Sequence, residues 1–282
     1  MRNGINRNDF SLLKVGFCNH PEAMIMQGGS LKSIKFPSIV GVLRHPIKGV
    51  ILFDTGYAKR FLSATHKFPE CLYRWATPMH LCEKEQLPVQ LKSMGIEVED
   101  VKIIFISHFH ADHIAGLLDF ENADLLCSKE AYSAFTKLTG FKALLKGYLP
   151  ELLPANSQSR VKFIEDCRSV SLNSNMRPFS AAYDLFDDGF ALAIPLPGHA
   201  HGHFGLLCHD QLQSQFLIAD ACWTEQAYTR GARPKRLAGI IMSDYPAYLE
   251  TLNKLSLLFS QNKDVNIVPS HCDQTYRRWL NG

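Results

Sequence analysis

Residues 102–113 read Lys-Ile-Ile-Phe-Ile-Ser-His-Phe-His-Ala-Asp-His, an apolar run that leads directly into four potential metal ligands. The apolar part is typical of a buried strand. His108 and His110 are two positions apart, so in extended geometry their side chains face the same side. Asp112 and His113 follow after the chain has left the strand, and they can point toward a second, nearby position. Because imidazole and carboxylate suit zinc, iron and manganese, the run predicts a metal site.

The other ligands that two metal ions would need follow predicted strands further along the chain. His199 comes after a strand predicted at 190–194, Asp220 after one at 216–218, and His271 after one at 266–268. In layered α/β folds, sites are built where strands end, so we expect these residues to meet at one edge. We assign His108, His110 and His199 to the first metal, Asp112, His113 and His271 to the second, and Asp220 to a bridge between them. Metals about 3.5 to 4 Å apart share a hydroxide that attacks at neutral pH.

The order of these motifs, H-x-H-x-D-H, then P-G-H, then an Asp and a final His after strands, resembles the metallo-β-lactamase superfamily. The resemblance extends from the Phe-Asp-Thr-Gly run at residues 53–56 to His271. It implies an α/β fold, the four-layer αββα sandwich of two similar halves with the metals at one edge. It also implies that Asp54 is a buried residue behind the ligands, although a turn-forming Asp before Thr-Gly is an alternative.

The bulk composition is that of a globular protein. The chain has 282 residues, of which 46% are hydrophobic and 20% charged, and its net charge of +3 does not by itself indicate nucleic acid or membrane as a partner. Its N-terminus lacks a signal-peptide pattern and it has no apolar run long enough to span a bilayer, so we expect a cytoplasmic protein. The eight cysteines form no C-x-x-C pair and are expected to be reduced.

The remaining sequence predicts one domain, residues 1–282, without repeats or linkers. Further strands are expected at 50–53 and 123–126, and the periodicity of apolar residues predicts helices at 87–94, 129–138 and 245–259. We expect a helical insertion followed by loop at about 141–180. Its apolar residues, such as Phe141 and Leu145, predict a wall of the substrate pocket beside the metals, with a simple surface excursion as the alternative.

Within the superfamily, the closest resemblance is to the branch of N-acyl-homoserine-lactone lactonases and related esterases. Exported β-lactamases, glyoxalase II with its C-terminal helical domain, and tRNA nucleases with a basic arm fit less well. We therefore expect a hydrolase of an ester or lactone with an apolar part, and no nucleic acid or membrane partner. Asp112 and Asp220 would orient the bridging hydroxide between two Zn²⁺ ions, with Fe, Mn or Co as possible replacements. The alternatives are a phosphoesterase or phosphotriesterase, and a catalytically weak metal-containing regulator.

One position departs from the lactonase pattern. Where those enzymes carry a tyrosine that donates a hydrogen bond to the substrate carbonyl, this chain has Trp223. An indole N–H can donate a hydrogen bond but is no acid. We expect Trp223 to line the pocket and pack on the acyl group. Tyr57 and Tyr228 are possible substitutes for the missing phenol.

Several other residues near the motifs have ordinary interpretations as well as functional ones. His203 is expected to pack or hydrogen-bond behind the ligands, and His201 either contacts substrate or is solvated. Cys222 and Cys272 are expected to be buried, inert thiols. The basic residues Arg230, Arg233, Lys235 and Arg236 would steer an anionic substrate or form a solvated face, and His20, His45, His66, His80 and His209 show no ligand spacing.

Overall fold

The structure is a computed structural model that describes residues 9–25, 28–209, 214–234, 239 and 241–281. Lys235 and Arg236 of the predicted basic loop lie outside the described residues. Within the described ranges, every helix is too short or too polar to cross a bilayer.

Strands dominate the architecture. In chain order they are β1 (Phe10–Pro21), β2 (Ser33–His45), β3 (Gly49–Phe53), β4 (Met79–His80), β5 (Val101–Phe105), β6 (Asp124–Cys127), β7 (Val161–Phe163), β8 (Arg168–Ser171), β9 (Ala181–Asp184), β10 (Ala191–Pro195), β11 (Phe204–His209), β12 (Ser214–Ala219) and β13 (Val265–Pro269). In the described part of the chain they form a sheet of order β4-β1-β2-β3-β5-β6-β7 and a second of order β13-β12-β11-β10-β9-β8.

Helices connect and cover these strands. They are α1 (Glu22–Ile25), α2 (Arg60–Ala64), α3 (Cys71–Ala76), α4 (Leu87–Ser93), α5 (Ala111–Ile114), α6 (Lys129–Lys137), α7 (Gly140–Leu144), α8 (Ser157–Arg160), α9 (Glu225–Arg230), α10 (Tyr245–Gln261) and α11 (Asp273–Asn281). Short 3-10 turns lie at Glu83–Glu85, Val98–Asp100, Leu117–Asp119, Pro150–Leu152, Ile164–Asp166 and Ser174–Met176.

Alternation of side chains along the strands divides the core into layers, because successive residues of a strand face opposite sides of the sheet. Phe53 and Phe105, on neighbouring strands β3 and β5, stack with ring centroids 5.5 Å apart in the layer between the two sheets. On the outer face of the first sheet, residues such as Ile104 pack with Leu91 of α4. On the outer face of the second sheet, residues such as Phe216 pack with α10. Helix, sheet, sheet and helix therefore follow one another as four layers, and the predicted fold class is confirmed.

The predicted strands and helices outside residues 141–180 are found within one or two residues of their expected bounds. The interpretation of 141–180 is correct only in its first part, where α7 and α8 are helical. The expectation of loop after residue 160 is wrong. There, β7 pairs with β6 in the first sheet, and β8 pairs with β9 in the second. These strands are three and four residues long and partly exposed, so they lack the apolar run that identified the buried strands.

Candidate metal centre

The predicted ligands lie where parallel strands end. β3, β5 and β6 are parallel neighbours, as are β12 and β13. His108 follows β5, Asp220 follows β12 directly, and His271 follows β13. Because the carboxyl ends of parallel strands reach the same edge, the two sheets bring these residues together across the core.

The structure collects the seven predicted side chains into two adjoining groups. The nitrogen or oxygen atoms within each group all lie within 4.8 Å of one another. One group contains His108, His110, His199 and Asp220, and the other contains Asp112, His113 and His271. All are buried except Asp112, whose side chain is 13% exposed, so the cluster opens toward solvent beside that carboxylate.

Asp220 lies between the two groups, with one carboxylate oxygen directed at each. Its Oδ2 is 3.2 Å from Nε2 of His199. Its Oδ1 is 3.2 Å from Nε2 of His113 and 3.1 Å from Nε2 of His271. Asp112 approaches only the second group, with its Oδ2 3.3 Å from Nε2 of His271. This is the arrangement that a carboxylate shared by two cations requires.

Several buried polar atoms in the cluster have no hydrogen-bond partner among the described residues, although some lie close together. They are Nε2 of His108, Nε2 of His113, Nδ1 of His199 and Oδ1 of Asp220. An unpaired buried polar atom costs about 1–3 kcal/mol, and buried polar groups are nearly always paired. Cations bound at Nε2 of His108, Nε2 of His113 and Oδ1 of Asp220 would satisfy three of these atoms, so the residues fit a metal centre.

Hydrogen bonds on the side away from the cluster orient the two histidines of the second group. Nδ1 of His113 donates to Oδ2 of Asp54 at 2.7 Å, and Nδ1 of His271 donates to the Pro37 carbonyl at 2.7 Å. Asp54 itself is 1% exposed and also accepts hydrogen bonds from the backbone N–H and hydroxyl of Ser107, both at 2.8 Å. With the proton on Nδ1, each ring presents an unprotonated Nε2 to the cluster, which is the form that binds metals.

A close packing contact fixes the loop that carries His199. Gly198 has φ +125°, and a Cβ added there would meet the Tyr248 backbone nitrogen at 2.1 Å. The Gly198 carbonyl accepts the N–H of Asp244, and the His199 carbonyl accepts that of Ser243. Only glycine therefore lets the start of α10 approach this loop.

Electrostatics within the cluster keep some of the imidazoles neutral and surround others with negative charge. Burial holds the pKa of His108 and His110 well below the usual range, which keeps these imidazoles neutral. Burial raises the pKa of Asp220, but the surrounding histidines outweigh that effect and hold it well below its ordinary value. Burial lowers the pKa of His113, yet the carboxylates around its ring outweigh burial and raise it. The cluster thus attracts positive charge.

The first part of the 141–180 segment lies against the cluster. A Cβ on Gly147 would be 2.9 Å from Cδ2 of His110, and the Tyr148 ring centroid is 6.0 Å from that of His110. Nearby, Phe141 is 51% exposed and contacts Phe68, which is 68% exposed, with ring centroids 5.5 Å apart. Phe141 and Phe68 therefore form an apolar rim, and Phe141 belongs to the segment that lies against His110.

Other predicted residues have the ordinary roles considered for them. His201 is on the surface, where its ring pairs with Glu130 at 3.2 Å. His203 is buried behind the cluster, and burial lowers its pKa to about 3, so it is neutral. Cys222 and Cys272 are buried free thiols, and burial raises the pKa of Cys222 well above its usual value. Among the predicted basic residues that are described, Arg230 and Arg233 are exposed.

Trp223 has a contact that its sequence position did not indicate. Its indole Nε1 donates to Oδ2 of Asp220 at 3.0 Å. Tyr228 does not replace the missing phenol, because its hydroxyl donates to the Ile267 carbonyl. Sequence reasoning also missed Ser107 and the Pro37 carbonyl, since a serine beside a ligand and a backbone oxygen distant in sequence carry no signal of their own.

Residues 35–256 match the family described as the Metallo-beta-lactamase superfamily. The chain belongs to this superfamily, and the family predicted from the sequence is confirmed.

Its curated relatives include lactonases. The chain is 27% identical over 221 residues to the N-acyl homoserine lactonase AttM of Azorhizobium caulinodans, a match that covers 77% of this chain and 76% of that protein. It is 24% identical over 182 residues to an N-acyl homoserine lactonase of Bacillus cereus, covering 64% of this chain and 62% of the relative.

Solved structures share the fold. An N-acyl homoserine lactone hydrolase with N-hexanoyl-L-homoserine bound at its catalytic metal centre superposes with a TM-score of 0.74, at 18% identity, covering 98% of this chain and 96% of that one. AidC, a dizinc quorum-quenching lactonase, superposes with a TM-score of 0.64 at 17% identity, covering 94% of this chain and 87% of that one.

Proposed function

We propose that this protein is a dinuclear zinc hydrolase that opens the ring of N-acyl homoserine lactones. The observation that carries the proposal is the position of Asp220, with one oxygen directed at each of two groups of imidazole and carboxylate ligands. That arrangement suits two cations joined by one carboxylate. The lactonase relatives supply the substrate class.

The ligand assignment follows the two groups. His108, His110 and His199 would hold the first zinc, Asp112, His113 and His271 the second, and Asp220 would contact both. Zinc suits nitrogen and oxygen ligands of this kind, and iron, manganese or cobalt would also be accepted. When bound, such a pair of ions polarises a carbonyl oxygen and activates water at neutral pH.

Two carboxylates are proposed to act on the reacting groups. Asp112 is the most exposed of the seven side chains, at 13%, so its carboxylate meets water and substrate as they enter. It would accept a hydrogen bond from the attacking water and orient it. Asp220, held between the groups, would do the same from the opposite side. No serine nucleophile is needed, in agreement with the absence of a G-x-S-x-G motif from the sequence.

The substrate's acyl chain is proposed to lie on the apolar rim. Phe68, Phe141 and Leu145 are 68%, 51% and 62% exposed, and large apolar side chains grouped at a site mouth mark a binding surface. The contact of Gly147 with His110 places the segment of Phe141 and Leu145 next to the candidate ligands, and Phe68 contacts Phe141. A substrate with a polar reacting end and an apolar tail fits this combination.

We further propose a single domain over residues 1–282 and a cytoplasmic location.

The test combines metal analysis with a substrate comparison. Purified protein loaded with zinc is assayed by elemental analysis and then offered N-hexanoyl and N-decanoyl homoserine lactone, a simple aryl ester and a phosphotriester. We expect two zinc ions per chain and the highest kcat/KM on the lactones. The variant His201→Ala is the matched control, because it removes a histidine close in sequence to His199 but outside the cluster.

The substrate panel separates the proposal from its alternatives. Cleavage of the phosphotriester with no opening of lactones or esters would replace the lactonase assignment by a phosphotriesterase. Two bound zinc ions with no turnover of any substrate would favour a metal-containing regulator. One zinc ion or none per chain after loading would contradict the dinuclear centre itself.

A further inference from the structure

The backbone immediately before Asp220 is strained. Ala219 has φ +45°, in the left-handed region that residues with a Cβ rarely adopt. The pairing of β12 with β13 shifts register between Leu217 and Ala219, at the same place. Such strain costs of the order of 1–3 kcal/mol and persists only where surrounding contacts enforce it. The chain therefore bends at Ala219 at an energetic cost, and the bend determines where Asp220 points.

Two side chains hold Asp220 in the position that the bend creates. The backbone N–H of Asp220 donates to Nε2 of His203 at 3.3 Å. The carboxylate accepts a hydrogen bond from Nε1 of Trp223 at 3.0 Å. His203 is 1% exposed, and because a backbone N–H can only donate, Nε2 of its imidazole is the acceptor in this contact. Asp220 is thus fixed at its backbone by one residue and at its carboxylate by another.

The Trp223 ring is itself fixed by its surroundings. It is partly buried and packs against the apolar residues outside both sheets. Its centroid is 6.0 Å from that of His199, at an interplanar angle of 85°. A ring anchored in this way offers its N–H in one direction, toward the carboxylate.

We infer that Trp223 is a positioning residue that holds the Asp220 carboxylate in the orientation needed to contact both metal ions. This inference rests on the proposed zinc centre. A carboxylate oxygen has two lone pairs, so Oδ2 can accept the indole hydrogen bond and still ligate a cation near His199. The same bond directs Oδ1 toward His113 and His271. Trp223 therefore acts through Asp220, and its N–H is not available to a substrate carbonyl.

The variant Trp223→Phe tests this role, because it keeps an aromatic ring and removes the donor. Zinc affinity is measured by competition with a chromophoric chelator, and folding is checked by circular dichroism and thermal unfolding. Residues that orient metal ligands typically contribute about 10- to 100-fold in metal affinity. We expect a loss in that range for Trp223→Phe with little change in Tm, and no loss for the control Trp75→Phe, whose ring is 70% exposed. Unchanged zinc affinity in a folded Trp223→Phe protein would overturn the inference.

A spectroscopic measurement tests the contact without removing it. The chain has three tryptophans, so the double variant Trp75→Phe, Trp279→Phe leaves Trp223 as the only indole. Addition of zinc should change the fluorescence of Trp223, because the Asp220 carboxylate that accepts its N–H gains a cation. An unchanged emission spectrum during stoichiometric zinc uptake would contradict the inference. If the double variant fails to fold, the difference between wild type and Trp223→Phe gives the same signal.

The metal and substrate experiments fail independently. Zinc binding that weakens in Trp223→Phe, together with no lactone turnover by the wild type, would support the role of Trp223 and refute the proposed substrate. Normal lactone turnover by the wild type, together with equal zinc affinity in wild type and Trp223→Phe, would support the proposed substrate and refute the role of Trp223. A wild-type protein that takes up no zinc would refute both.

Discussion

Asp54→Asn is the substitution that tests most directly how the candidate metal ligands are oriented. Asp54 has φ +61°, and asparagine is among the few residues that tolerate this region, so the variant keeps the backbone geometry. Asp54 is 1% exposed, and its Oδ2 accepts the Nδ1 proton of His113 at 2.7 Å. An amide can still accept from the Ser107 N–H through its oxygen. Its NH₂ group then faces the Nδ1–H of His113, so that two hydrogen-bond donors meet with no acceptor between them.

The protein has one local way to relieve this conflict. His113 can move its proton from Nδ1 to Nε2, so that Nδ1 accepts from the new amide. Nε2 is the atom that lies 3.2 Å from Oδ1 of Asp220, and once protonated it no longer binds a metal. Relief of the conflict therefore removes a ligand. Hydrogen bonds to charged groups contribute about 1.5–3 kcal/mol, so we expect about 2 kcal/mol lower stability and roughly 10- to 100-fold weaker zinc binding.

The assay uses a matched control. Asp187 also has φ +61° but is exposed, with its carboxylate 3.0 Å from Nε of Arg168. Asp187→Asn therefore makes the same chemical change in the same backbone region, at a surface ion pair that contributes about 0–1 kcal/mol. At about 2–4 °C per kcal/mol, Asp54→Asn should lower Tm by roughly 4–8 °C, and the control by less than about 4 °C. Equal zinc affinity in Asp54→Asn and wild type would refute the reasoning.

Three further predictions follow from particular contacts. Asp220→Asn should lose at least one zinc per chain and nearly all lactonase activity, whereas His201→Ala should keep its zinc and its activity. Full metal content in Asp220→Asn would show that Asp220 does not bridge two metal ions. Phe141→Ala should raise KM for a decanoyl lactone several-fold more than for a hexanoyl lactone, and equal effects would remove Phe141 from the tail site. Arg160→Met should lower the free energy of unfolding by about 2–4 kcal/mol in urea titration, because the buried guanidinium donates to the Ala123 and Phe120 carbonyls. An unchanged free energy of unfolding would mean that these carbonyls find other donors.

The sequence alone predicted the candidate ligand residues and the layered fold. His108, His110, Asp112 and His113 are close in the chain, and each of the other three candidates follows an apolar strand. Strand periodicity and ligand spacing are local properties, set by the geometry of a few residues of extended backbone. Where the local pattern was weak, as in the short and partly exposed strands β7 and β8, the sequence predicted loop instead.

Only the tertiary structure decided which atoms hydrogen-bond to the candidate ligands and orient them. Pro37 meets His271 across 234 positions of the chain, and the Asp54 carboxylate reaches His113 across 59. Trp223 gives a further case. Its closeness to Asp220 in the chain was evident from the sequence, but the direction of its N–H depended on packing and on the bend at Ala219. Hydrogen-bond direction depends on atomic positions within a few tenths of an ångström. Those positions are set by the packing of two sheets and their helices, which no local pattern of residues encodes.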